Sequence, residues 1–436
     1  MNDAADRSNR AILLFWTPLA LQWLMMALEG PFLAAIIARM GEATYNLAAY
    51  GVAFAFAILV ESPVIMLMSA STALVEDDTS YYRLRNFANA LNAGSTALLL
   101  LVLIPPVYQL LMLTLIGLPV PVADLVYGAL WLLLPWPAAI GYRRFLHGVL
   151  IRSGRTRLVA YGTAMRLAGM SATAISLYAL GTLPGAWVGA AALSAGVCTE
   201  AVATRIMART ALRELLGPRA QPALSTPGYA GIARFYYPLA LTSFIGLTVQ
   251  PLLTFMMGRS PAPLESLAVF PVVHALSFLF RSFGFAYQEA AIALLGRRCE
   301  HAPSVTRFAI GLAFATTGAM AIVAFTPLAF IWFDTLSALP PALSALAITP
   351  ARIVVPLPAL AVLMALQQAI IVQSRATRAI SIATAGEVIT IAVAFGTFGW
   401  GLGMIGVNAA MLALVAGRVA GNLLLVLPVR RVLAAR

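Results

Sequence analysis

Apolar residues run along this chain in blocks of some twenty to thirty, and short stretches rich in Arg, Pro and Gly separate the blocks. The blocks lack the polar stripe that the helices of a soluble domain carry. About 20 apolar residues cross the hydrocarbon core of a bilayer. Runs of that kind fall at roughly 11–38, 47–74, 87–115, 122–143, 158–180, 185–208, 232–258, 266–294, 307–332, 345–372, 378–398 and 402–427. The pattern predicts an all-α polytopic membrane protein of twelve transmembrane helices. Several runs exceed the minimum and predict tilt or a kink. Pro18, Pro31, Pro63, Pro105, Pro251 and Pro271 lie inside runs, where each frees a carbonyl that a neighbouring helix or water must satisfy. The first run is longer than a signal-peptide core and no small-residue cleavage pattern follows it, so it is read as helix 1.

Composition narrows the picture. Hydrophobic residues make up 61% of the 436 and charged residues only 10%, against about 25% charged in soluble domains. So thin a polar surface excludes a soluble enzyme, a nucleic-acid module and a disordered scaffold. The net charge of +12 is carried by arginine alone. Arg7 and Arg10, Arg83 and Arg85, Arg143 to Arg157, Arg205 to Arg234, Arg297 to Arg307, Arg375 and Arg378, and Arg430 to Arg436 all fall on one side of the expected topology, and the other side holds Arg39 and Arg259. This is the positive-inside pattern. It predicts cytoplasmic termini and accounts for the charge without a nucleic-acid partner. The basic connection between the fourth and fifth helices, Arg143 to Arg157, suits anionic lipid headgroups, although topology alone explains it. A lysine-free, arginine- and alanine-rich chain fits a bacterial inner membrane, and a monomer is expected. Cys198 and Cys299 lie far apart, which argues against a disulfide framework or a metal cluster.

The chain also repeats itself at an offset of 220 or 221. Pro-Leu-Ala-Leu at 18–21 returns at 238–241, Pro31 as Pro251, Arg39 as Arg259, Pro135 and Pro137 as Pro356 and Pro358, and Ser153, Thr156 and Arg157 as Ser374, Thr377 and Arg378. Two six-helix lobes follow, 1–208 and 232–436, joined by a Pro- and Gly-rich cytoplasmic linker at 209–231. Six is even, so the halves enter the membrane in one direction and are related by a pseudo-twofold along its normal. Substrate sites in such proteins lie near the midplane between repeats. No nucleotide-binding loop is present, so the architecture predicts a secondary transporter for a small-molecule substrate.

Glu29-Gly-Pro-Phe-Leu-Ala-Ala-Ile-Ile-Ala-Arg-Met-Gly41, followed by Leu-Ala-Ala-Tyr-Gly at 47–51, resembles the first two helices of the multidrug and toxic compound extrusion (MATE) family. That family belongs to the multidrug/oligosaccharidyl-lipid/polysaccharide (MOP) flippase superfamily. Within it, 47–54, 235–241 and 270–274 are most similar to the progressive ankylosis branch. The resemblance spans the chain in helix order through short motifs. It implies export by alternating access, and for the ankylosis-like branch export of anions such as citrate, pyrophosphate or nucleotide phosphates. The drug exporters carry a helix-1 aspartate that couples to H+ or Na+. Here Leu33 stands at that position, and the single aspartate within the runs, Asp124, lies at the start of the fourth and not in the first. Glu29, four residues earlier and on the same helical face, is the stand-in. The major facilitator class shares the helix count, but its Gly-rich loop between helices 2 and 3 does not match Val-Glu-Asp-Asp-Thr-Ser-Tyr-Tyr-Arg-Leu-Arg at 75–85.

Ionisable residues inside the runs carry the remaining information, since a charge at mid-bilayer costs about 2.5–3.5 kcal/mol on insertion scales. The repeat pairs Glu61 with Arg281 and Arg166 with Glu387, each a reversal of charge. Glu61 and Arg281 are expected to act as substrate-binding or gating groups, against a static salt bridge. His274, seven residues before Arg281, is either a proton-sensitive group or a packing histidine. Glu29 is assigned to ion coupling, with a structural partner for Arg39 as its alternative. Gln22 and Gln250 are weaker binding candidates. Arg166, Glu387, Glu289, Glu200 and Arg418 are expected to be structural, Glu289 through Arg297 or Arg298. The tryptophans are read as interfacial belts. His147 and His301, assigned to cytoplasmic loops, have no matched partners, so no enzyme active site is expected. The leading function is export of small polyvalent anions. The alternative is cation-coupled extrusion of amphipathic cations through Glu29 and Glu61, and a lipid-linked sugar flippase comes third.

Overall fold

The computed structural model describes residues 9–217, 228–296, 299–373 and 378–434. Among these residues every regular element is helical and no strand forms. The first helix, α1 (Asn9–Ala38), keeps both Pro18 and Pro31 within it. It is followed by α2 (Ala43–Glu61), α3 (Leu67–Leu74), α4 (Asp78–Leu103), α5 (Pro105–Gln109), a π-helical turn Leu110–Ile116, α6 (Val120–Leu132), α7 (Trp136–Arg152), α8 (Thr156–Leu180), α9 (Gly185–Met207) and α10 (Arg209–Leu215). The second half contains α11 (Tyr229–Leu247), α12 (Val249–Met257), α13 (Pro263–Leu294), α14 (Ala302–Phe325), α15 (Leu328–Phe330), a π turn Ile331–Leu336, α16 (Pro341–Ile353), α17 (Leu357–Gln373), α18 (Arg378–Phe395), a π turn Gly396–Gly401 and α19 (Gly406–Ala434).

All twelve predicted runs are therefore helical. Among the described residues nine helices are long and apolar enough to span a membrane, and the pair α16 and α17, bent by 41° at its break, is a tenth when counted as one span. The other two runs correspond to α8 and to α11 with α12. The α8 helix has the length but carries Arg166 and a series of Ser, Thr and Tyr. The predicted Ser374–Thr377 repeat match and residues 218–227 of the 209–231 linker lie outside the described residues.

The repeat is visible in the backbone. Glu42 and Ala262 take the same left-handed conformation, with φ of 52° and 50°, at the starts of α2 and α13. Gly117 and Ala338 do so after the two equivalent π turns. The cause of one shared break is proline, which holds its predecessor out of the helical region. Ile104 before Pro105 has ψ 124° and Thr326 before Pro327 has ψ 172°, and each ends a long helix.

Contacts divide the chain into two compact units, 40–255 and 1–39 with 256–436, a partition that crosses the sequence halves. Helix α1 packs along α13, where Trp16 Nε1 donates to the Phe283 carbonyl at 3.3 Å and Gly30 faces Ala275. Helix α11 packs on α2 and α4, with the Tyr236 hydroxyl donating to the Pro63 carbonyl. Inside the first unit, Asn46 of α2 is buried and fully used. Its Nδ2 donates to the Gly41 carbonyl at 2.8 Å, and its Oδ1 accepts the Ala186 N–H at the start of α9 at 2.9 Å. Asn46→Leu leaves both backbone groups unmet, and an unsatisfied buried group costs about 1–3 kcal/mol. A lower apparent melting temperature in detergent is the expected result, and an unchanged one contradicts it.

Candidate functional site

The intramembrane charges gather into one cluster in each unit. In the unit 40–255 the cluster is built on α7, in which Ile140, Phe145, Leu146, Val149 and Leu150 are buried and continue the helix to Arg152. That apolar register overrides the reading of Arg143 to Arg157 as a loop, and the turn is confined to 153–155. Arg143 and His147 are consequently buried, with 6% and 2% of their surface exposed. This corrects the assignment of His147 to a cytoplasmic loop.

Arg143 Nη1 donates to Glu200 Oε1 of α9 at 2.9 Å, and Glu200 is wholly buried. His147 Nε2 lies 3.2 Å from Thr204 Oγ1 and 3.8 Å from the same Glu200 oxygen. Glu61, at the end of α2, accepts the Trp136 indole N–H at the start of α7. The guanidinium of Arg166, on α8, sits 5.6 Å from the Trp136 ring centroid, within cation–π range. The charges of Arg144, Arg143 and Arg166 all act on Glu61.

In the other unit Arg418 of α19 pairs with Glu387 of α18 at 3.0 Å. Both charges act on Arg281 of α13. Arg281 is only 8% exposed, lies 5.9 Å from the Phe285 ring centroid, and has no hydrogen bond or ion pair among the described residues. Near Arg418, Asn422 donates to the carbonyls of Leu360 and Arg418, while the Asn422 Oδ1 and Gln367 Oε1 atoms are buried without hydrogen-bond partners among the described residues.

The remaining sequence candidates are dispersed. Glu289 accepts the Trp23 indole N–H at 3.1 Å, and its expected partners Arg297 and Arg298 lie outside the described residues. His274 stacks on Phe270 at 5.6 Å. Glu29 is buried at 7% beside Gly30. Arg39 is taken up by the carbonyls of Ala35, Thr335 and Leu336, so it is not the partner of Glu29. Gln250 belongs to the unit 40–255 and its carbonyl accepts from Thr254. The Gln22 side chain is outside the described residues. Glu61 and Arg281 belong to different units. Sequence reasoning placed Arg143, Arg144 and His147 in a loop and took Trp136 and Trp23 for belt residues. No group of three or more His, Cys, Asp or Glu suited to a metal forms among the described residues.

These helices match solved structures along almost their full length. An inward-facing multidrug resistance MATE family transporter of the MOP superfamily aligns with a TM-score of 0.67 at 16% identity, covering 95% of each chain. The fold is that of the MATE transporters. The inward-closed lipid II flippase MurJ aligns at 0.73 with 14% identity, over 96% of this chain and 87% of the flippase. A MOP superfamily transporter from Pyrococcus furiosus, whose binding pocket is described as reversed in polarity, aligns at 0.59 with 16% identity over 98% and 96%. No protein-family model and no curated protein matches the sequence.

Proposed function

We propose that this multi-pass membrane protein is a secondary transporter that exports small polyvalent anions by alternating access, with Arg281 as an anion-binding group. One observation carries the reading: Arg281 is buried in α13 with no hydrogen bond or ion pair among the described residues. A buried guanidinium without a partner is costly, and an anionic solute lowers that cost while it is bound. The fold supports a transporter, and the Pyrococcus furiosus relative lends support to a change of pocket polarity on this scaffold. Citrate, pyrophosphate and nucleotide phosphates are the solutes that the ankylosis-like sequence resemblance favours. Glu29 and His274 are the groups to which H+ or Na+ coupling is assigned. The topology proposed with this function has cytoplasmic termini in a bacterial inner membrane. A second reading, extrusion of amphipathic cations, draws support from the multidrug transporters among the structural relatives.

Thermal stabilisation of the detergent-purified protein separates the two. Binding stabilises by RT ln(1 + [L]/Kd), about 2.7 kcal/mol at a hundredfold excess over Kd. Citrate, pyrophosphate or ATP is expected to raise the melting temperature of the wild type, and Arg281→Gln is expected to reduce that shift. A shift with cationic drugs alone, unchanged in Arg281→Gln, transfers the assignment to the second reading.

A further inference from the structure

The unit 40–255 contains a second arginine that its own structure does not employ. Arg143 and Arg144 are consecutive on α7, so their side chains leave the helix about 100° apart. The first turns to Glu200, 2.9 Å away. Arg166 lies against Trp136, whose indole N–H is committed to Glu61. Arg144 is half-buried and has no hydrogen bond or ion pair among the described residues, and its Nε is enclosed without an acceptor. Glu61 of α2, Glu200 of α9, Arg166 of α8 and Tyr236 of α11 lie within electrostatic range of it.

Structural arginines in this chain look different. Arg39 donates to three carbonyls, and Arg152 to the Thr72 and Ala73 carbonyls and to Glu76. Arg144 lies in electrostatic range of several polar groups and, among the described residues, is bonded to none of them. Three guanidinium groups, Arg143, Arg144 and Arg166, lie in electrostatic range of two carboxylates, Glu61 and Glu200, which leaves one positive charge in excess when both carboxylates are ionised. A planar guanidinium fork with an open face recognises carboxylate or phosphate oxygens in pairs.

We propose that Arg144 is the core of an oxyanion-binding site within the unit 40–255, separate from Arg281, which takes one carboxylate or phosphate group. Glu61 of α2 and Tyr236 of α11, which is anchored to the Pro63 carbonyl, are the neighbouring groups in electrostatic range of this site. The oxyanion comes either from a free solute or from the headgroup of an acidic lipid. The site does not depend on the Arg281 assignment, because it lies in the other compact unit.

Arginine footprinting with phenylglyoxal on the full-length wild-type protein, read by mass spectrometry, tests the site without a variant. Pyrophosphate is expected to protect Arg144 at least threefold in detergent. If pyrophosphate has no effect but nanodiscs containing phosphatidylglycerol protect Arg144 and phosphatidylcholine discs do not, the site stands and its occupant is a lipid headgroup. If neither protects Arg144, the inference is overturned. Titration calorimetry with pyrophosphate then distinguishes the two arginines in the solute case. Arg281→Gln is expected to keep one binding event, and Arg144→Gln in that background to abolish it, with Arg144→Lys restoring it only in part. Loss of all binding in Arg281→Gln, with Arg144→Gln unchanged from wild type, sinks this site and leaves the Arg281 reading intact. The reverse result removes the Arg281 reading and leaves this one.

Discussion

Glu200→Leu is expected to lower the stability of the detergent-solubilised protein by about 3–5 kcal/mol, the cost of breaking a buried ion pair from one side. Glu200 is wholly buried and its Oε1 atom receives Arg143 at 2.9 Å. Removing it strands Arg143 beside Arg144 and Arg166, two further positive charges, and takes away the carboxylate 3.8 Å from His147. The loss therefore exceeds that of one hydrogen bond. The pair itself need not stabilise the fold, because replacing both members by apolar residues of similar volume is often neutral or favourable. Arg143→Met with Glu200→Leu is accordingly expected to recover most of the loss. Thermal unfolding followed by monodispersity on gel filtration measures both. A single variant that melts with the wild type, or a double variant no better than the single, contradicts this account.

Gly148→Val is expected to prevent α3 and α7 from packing. A Cβ at Gly148 would lie 2.5 Å from the Met68 carbonyl oxygen and 2.5 Å from Ser71 Cβ. The first of these is backbone and cannot rotate away. Membrane helices use small residues at such close approaches because van der Waals packing, not exclusion of water, holds them together. Inserted methyl groups in a filled interior cost about 1–3 kcal/mol, occasionally more, and valine adds three heavy atoms here. The Thr72 hydroxyl, which reaches the Gly148 carbonyl at 3.4 Å, loses its place as well. Gly94 in α4 supplies the control, since nothing lies within 4 Å of its added Cβ. Gly94→Ala is expected to be neutral or to gain up to about 1 kcal/mol through helix propensity. Equal melting temperatures for Gly148→Val and Gly94→Ala would refute the packing argument.

The positions of the helices were legible in the sequence because each crossing must satisfy its backbone internally, and that requirement leaves long apolar runs. The repeat was legible because Pro31, Pro135 and Pro137 return as Pro251, Pro356 and Pro358 at an offset of 220 or 221. The charged clusters were not. A rule that assigns arginines to loops places Arg143, Arg144 and His147 outside the membrane, yet Phe145, Leu146, Val149 and Leu150 interleave with them and continue the helix. That interleaving was the available signal. Pairings such as Arg143 with Glu200, 57 residues apart, or Trp136 with Glu61, 75 apart, depend on which helices become neighbours. Hydropathy carries no information about that. The tryptophans illustrate the same limit: Trp23, Trp136 and Trp187 each donate to a specific acceptor.

The packing of α1 on α13 has a consequence for how the chain is made. A ribosome delivers α1 first, and α13 begins at Pro263, long after Ala38 has left the exit tunnel. At about 5–20 residues per second, α1 waits on the order of ten seconds or more before its packing surface exists. During that interval Trp16 and Trp23 lack their acceptors, the Phe283 carbonyl and Glu289. Assembly of this unit is thus post-insertional for its oldest helix. Fragments that end before α13 would expose a helix that quality-control proteases recognise as unassembled.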